Sequence, residues 1–74
     1  MSPIYSEQDG YARLVMARGI AAKMLYRAEI ALSDATGTGI DEWVSATYER
    51  LHQAVLRYEA AVAELSSFER SRAA

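Results

Sequence analysis

Residues 44–65, VSATYERLHQAVLRYEAAVAEL, carry large apolar side chains at alternating steps of four and three residues. Those side chains belong to Val44, Tyr48, Leu51, Val55, Tyr58, Val62 and Leu65. This spacing is a heptad seam, which places all of them on one face of an α-helix. The seam predicts one long helix whose apolar face packs against other helices.

A glycine-rich break precedes this helix. Residues 34–39 read DATGTG and lie between two apolar-periodic segments, which is typical of a helix end followed by a helix start. Gly37 suits the left-handed position just after a helix, and Thr38 suits the N-cap of the next helix, with Asp41 placed as in a capping box. Ser6 is the candidate N-cap of the first helix.

These signals predict a single helical-hairpin domain over residues 1–74. We expect a first helix over about 7–35, a turn over about 36–39 and a second helix over about 39–70. Inside the first helix, Gly19 indicates either a close approach of the two helices or a tolerated glycine.

The first helix carries a seam of its own, again in steps of three and four residues. Its members are Tyr11, Leu14, Arg18, Ala21, Leu25, Ala28, Leu32 and Ala35. Because alanine leaves space, we expect the alanines of this seam to receive Val55, Tyr48 or Val44 from the returning helix. Arg18 interrupts the seam. Either its stem packs while its guanidinium reaches the rim, or it pairs with Glu64 or another acid of the second helix.

Apolar side chains also lie outside this seam, on both of its flanks. One flank holds Val15, Ala22, Tyr26 and Ile30, and the other holds Met16, Ile20 and Met24. A hairpin of two helices cannot cover the seam and both flanks, so we expect a partner to bind there. Trp43, just after the turn, either folds over the first helix near Leu32 or anchors that partner.

The sequence therefore predicts an all-α fold, an antiparallel helical hairpin that completes a four-helix bundle by dimerisation or by binding a dedicated protein partner. The candidate partner-binding residues are Val15, Met16, Ile20, Met24, Tyr26, Ile30 and Trp43. The function we expect is protein–protein interaction, as a small assembly, adaptor or regulatory subunit.

Composition agrees with this expectation. The chain has 74 residues, 51% of them apolar, and no cysteine, so neither disulfides nor thiolate-bound zinc stabilise its small core. Its formal charge of −2 does not favour nucleic acid or anionic membranes as partners. Because the sequence shows neither a membrane span of about 18 apolar residues nor a signal peptide, we expect the protein to be cytoplasmic. Arginine outnumbers lysine seven to one, which suggests a GC-rich bacterium or phage.

Two alternative functions rest on smaller sets of residues. Arg13, Lys23 and Arg27 cluster on one side of the first helix, where a nucleic-acid binder contacts phosphates. Glu49 and His52 form an E-x-x-H pair, a spacing that metal-binding carboxylate bundles use, and Glu29 is the candidate third ligand from the first helix.

Catalysis and cofactors are not expected. With one histidine and no cysteine, the chain has no residues for a catalytic triad or a thiolate nucleophile. The glycines near the turn also lack the lysine of a phosphate-binding loop. We therefore expect a binding protein and not an enzyme.

Overall fold

A computed structural model describes the backbone of residues 7–73 and the side chains of residues 10–73. Helix α1 spans Glu7–Thr38 and helix α2 spans Asp41–Ala73. They pack against each other along their lengths, which confirms the predicted all-α helical hairpin. The proposed N-cap, Ser6, lies outside the described residues.

Charges at both ends of α2 suit a helix. Asp41 and Glu42 occupy its first turn, and Arg70 and Arg72 its last turn. Acidic groups stabilise the positive end of a helix dipole and basic groups its negative end. Neither described helix contains a stretch apolar enough to cross a lipid bilayer.

The turn is tighter than expected and lies closer to the second helix. Gly39, with a φ of +69°, is the left-handed residue, so the prediction for Gly37 was wrong. Helix α1 continues through Gly37 to Thr38, and the Gly39 amide donates to the Thr36 carbonyl at 3.2 Å. A left-handed glycine directly after a helix is a common way to end it.

The start of α2 also differs from the prediction. The Ile40 carbonyl accepts hydrogen bonds from the amides of Trp43 and Val44, both at 3.0 Å, so Ile40 is the N-cap instead of Thr38. The Thr38 hydroxyl accepts from the Ile40 amide at 3.2 Å and donates to the Ala35 carbonyl at 2.6 Å. Thr38 thus links the end of one helix to the start of the next.

Small side chains of both helices line the same cavities along the contact between α1 and α2. Ala21 and Ala61 line one cavity, Ala28 and Ala54 a second, and Ala35 and Thr47 a third. We call these six residues the small-residue line. Of the three residues expected to enter the spaces beside the α1 alanines, Val44 and Val55 are partly buried. Tyr48 is exposed, so the expectation was wrong for Tyr48.

The exposure of Tyr48 differs from the prediction of the heptad seam. Its side chain is 62% exposed, although the heptad seam placed it in the interior. The other members of that seam are buried or partly buried. Val55 and Val62, one and two heptads further along the same column, are partly buried, so the exposure of Tyr48 is confined to the first turns of α2.

Aromatic rings close the open end of the hairpin. The ring centres of Tyr11 and Phe68 lie 6.2 Å apart, and the Arg72 guanidinium lies 5.8 Å from the centre of the Tyr11 ring. A Cβ added to Gly10 would lie 3.4 Å from Cε2 of Phe68, whereas one added to Gly19 would meet nothing within 4 Å. Close approach to α2 therefore occurs at Gly10 and not at Gly19.

The first prediction concerns the two glycines of the turn. Gly39→Ala should lower the free energy of unfolding by about 1 kcal/mol, because alanine is strained at positive φ. Gly37→Ala should raise it by about 0.5 to 1 kcal/mol, because alanine favours the helix and an added Cβ at Gly37 has open space. Urea unfolding followed by circular dichroism measures both, and effects of the same sign would contradict the assigned turn.

The second prediction compares two leucines of α2. Leu65 is 4% exposed and Leu56 is 47% exposed. Leu65→Ala should cost about 2 to 4 kcal/mol of unfolding free energy, because it opens a cavity in the interior. Leu56→Ala is the matched control and should cost less than about 0.5 kcal/mol. Equal losses in urea unfolding would show that α2 is rotated differently.

Candidate protein-binding faces

The hairpin is a single layer of helices. Its dimensions are 56 × 27 × 13 Å, so the thinnest is about that of one helix. Stable domains normally bury apolar surface between two packed layers. Both broad faces of this layer are uncovered, and the buried residues of the described part are only Ala21, Ala35, Ala54 and Leu65.

Many large apolar side chains are exposed instead. They are Met16, Ile20, Met24, Tyr26, Ile30, Ile40, Trp43, Tyr48 and Leu56. This set contains six of the seven predicted partner-binding residues. The seventh, Val15, is partly buried and offers less surface to a partner.

Sequence reasoning missed three members of this set. Tyr48 was assigned to the interior, and Ile40, at the start of the predicted second helix, was not among the predicted partner-binding residues. Leu56 follows Val55 directly and falls outside the heptad seam, so the spacing already indicated that its side chain would be exposed.

A continuous groove runs along one face, beside the small-residue line. Three adjoining cavities of about 420, 530 and 410 Å³ form it. The first two share Met24 and Arg57, and the last two share Ala46 and Arg50. We call this surface the alanine groove, because the alanines of the small-residue line form its floor.

The groove exists because of those small side chains. Alanine opposite alanine leaves space above the contact line that neither helix fills. Ile20 and Met24 stand on the α1 side of the groove, and Trp43 lines it near the turn with Ala31 and Asp34.

Charged residues border the groove along α2. Arg50, Arg57 and Glu64 line it at intervals of seven residues. Seven residues are close to two helical turns, so these side chains form one column. This edge combines both signs of charge.

The opposite face has a different character. Leu32 and Leu51 line a cavity of about 390 Å³ there, together with Glu29. Each leucine follows a groove residue in sequence, and neighbouring residues on a helix lie about 100° apart, which places both leucines across the contact line. Trp43 and Leu32 line different cavities.

The predicted partner-binding residues are divided between surfaces. Ile20, Met24 and Trp43 line the alanine groove. Tyr26 follows Met24 by two residues, which turns it about 160° away around the helix. The structure thus brings together half of the six exposed residues and leaves Met16, Tyr26 and Ile30 outside the groove.

The basic residues of α1 are exposed. Arg13, Lys23 and Arg27 lie on one side of the helix, at the surface. Arg18, expected to interrupt the interior, is exposed as well. Among residues 10–73, Arg18 forms no ion pair with Glu64, so its expected pairing is not present.

The candidate metal ligands are not brought together. Glu49 lines the alanine groove and Glu29 lines the cavity on the opposite face. His52 is exposed. Within residues 7–73, no three His, Cys, Asp or Glu side chains are grouped so that they would hold a metal ion.

Comparisons with protein-family models, with curated proteins and with solved structures find no match. The candidate site is an apolar groove with charged edges on a thin hairpin. Such a surface suits the binding of another helical surface.

Proposed function

We propose that this chain is a protein–protein interaction module that acts as a small assembly, adaptor or regulatory subunit. It completes its core as a homodimeric four-helix bundle, or with a dedicated protein partner that supplies the second layer. The observation that carries this proposal is the inverted burial of the described residues: nine large apolar side chains are exposed, whereas the buried residues are three alanines and a leucine.

The exposed area supports pairing quantitatively. The chain exposes 5922 Å², a total that includes its undescribed ends. A monomeric globular protein of its mass, 8.2 kDa, is expected to expose about 4,500 Å². Within the described residues, nine exposed large apolar side chains contribute to this excess, and a second layer of helices would cover apolar surface of this kind.

The nucleic-acid alternative has less support. Arg13, Lys23 and Arg27 are at the surface, yet the formal charge of the whole chain is −2. Binding to phosphate backbones depends on a surplus of positive charge at the contact surface. Apolar exposure, in contrast, is the common signature of a protein-binding surface.

The third prediction tests the exposed apolar residues. In sedimentation equilibrium, the parent chain should approach twice 8.2 kDa as concentration rises, and its melting temperature should rise with it. Ile20→Lys and Tyr26→Lys probe different sides of α1. At least one of them should weaken pairing about tenfold or more, because each dimer loses two buried apolar contacts.

Ala63→Lys is the matched control, since Ala63 is exposed and lies outside the grooves; it should pair like the parent. Circular dichroism verifies that each variant remains helical. The proposal is wrong if the parent stays a folded monomer at every concentration and a cell extract contains no protein that raises its melting temperature.

A further inference from the structure

The charged edge of the alanine groove has an internal symmetry. Arg50 precedes Arg57 by seven residues, and Glu64 follows Arg57 by seven. When a helix packs antiparallel against its own copy across a two-fold axis, residues equally distant from the axis face each other. An axis at Arg57 therefore brings Arg50 of each copy opposite Glu64 of the other.

The midpoints of α1 and α2 favour the same axis. Arg57 is the midpoint of α2, which spans Asp41–Ala73. The midpoint of α1, Glu7–Thr38, falls between Ala22 and Lys23. Met24 and Arg57 line the same cavities, so the two midpoints lie at one level of the hairpin. An axis at this level overlaps both helices along their full length and buries the most area.

The sizes of the facing side chains also favour an axis at this level. Ile20 and Met24 lie on either side of the α1 midpoint, and both are exposed at the groove. An antiparallel copy of α1 brings them over the small residues Ala17, Ala21 and Ala28 of its partner. Large side chains entering spaces above alanine let two helices approach closely.

We propose that the alanine groove is a homodimer interface that binds a second copy of this chain antiparallel to the first. The two-fold axis passes near Arg57, and Arg50 of each copy pairs with Glu64 of the other. The turns of the two hairpins lie at opposite ends of the resulting four-helix bundle. This inference deepens the proposed function and rests on it.

The arrangement includes one unfavourable contact. Arg57 meets Arg57 of the partner at the axis, where like charges repel. The long aliphatic stem lets each guanidinium turn toward solvent. Arg57→Gln removes this repulsion and should tighten the dimer about threefold; a weaker dimer would overturn the proposed axis.

The fourth prediction uses two variants that repel themselves. Arg50→Glu places glutamate opposite Glu64, and Glu64→Arg places arginine opposite Arg50. Two attractive contacts become repulsive in each homodimer. The dissociation constant of each variant alone should therefore be about tenfold higher than that of the parent. Sedimentation equilibrium measures both dissociation constants at low ionic strength.

Mixing the two variants is the decisive step. In the mixed dimer, the new glutamate of the first variant faces the new arginine of the second, and the unchanged Glu64 of the first faces the unchanged Arg50 of the second. Both pairs are again attractive. Native mass spectrometry should show the heterodimer in large excess over either homodimer, with an affinity within about threefold of the parent. The doubly exchanged chain, Arg50→Glu with Glu64→Arg, should also regain parental affinity.

Matched controls carry the same charge changes elsewhere. Arg70→Glu and Glu59→Arg alter exposed residues of α2 that lie outside the groove. Each should dimerise like the parent, and their mixture should show no preference for the heterodimer. A preference in this control mixture would mean that net charge alone drives pairing, which would overturn the proposed contact.

The remaining outcomes separate this inference from the proposed function. If the parent dimerises and the groove variants dimerise equally well, the interface lies elsewhere and the proposed function stands. If the parent is monomeric at every concentration, self-pairing itself is wrong. If the parent retains nucleic acid through purification and Arg50→Glu abolishes the retention, the groove binds nucleic acid and the homodimer interface is overturned.

Discussion

The contact on which this structure depends is small-residue packing between two antiparallel helices. Ala21, Ala28 and Ala35 of α1 share their cavities with Ala61, Ala54 and Thr47 of α2. Small residues allow helix backbones to approach but bury little apolar area themselves. The line therefore positions the two helices while contributing little of the burial that stabilises a domain.

The surface follows from that line. Because its residues do not fill the space beside them, a groove remains along one face, and many large apolar side chains stay exposed. Tyr48 and Met24 are examples, at 62% and 41% exposed. The hairpin is one layer thick and resembles half of a bundle, which is the physical basis of the interaction function that we propose.

Much of the candidate site was predictable from sequence, including the separation of Ile20 and Met24 from Tyr26 and Ile30, but the groove itself was not. Spacing alone identified Ile20, Met24 and Trp43 as surplus apolar residues, since the hairpin seam had no place for them. It also placed Met16 on the same flank as Ile20 and Met24, although Met16 lies outside the groove, because a helical projection does not show how far along α1 a groove extends. The groove and its charged edge required the relative rotation of both helices.

The sequence by itself determined two long helices, an intervening turn and an excess of apolar surface, because helix periodicity and glycine positions are local properties of the chain. The tertiary structure decided which residues of α2 face α1. Thr47 and Tyr48 are neighbours in sequence, and only the packing of the two helices determines which of them is covered. It also chose Gly39 over Gly37 for the left-handed position. That choice depends on where the second helix must start in order to pack back on the first.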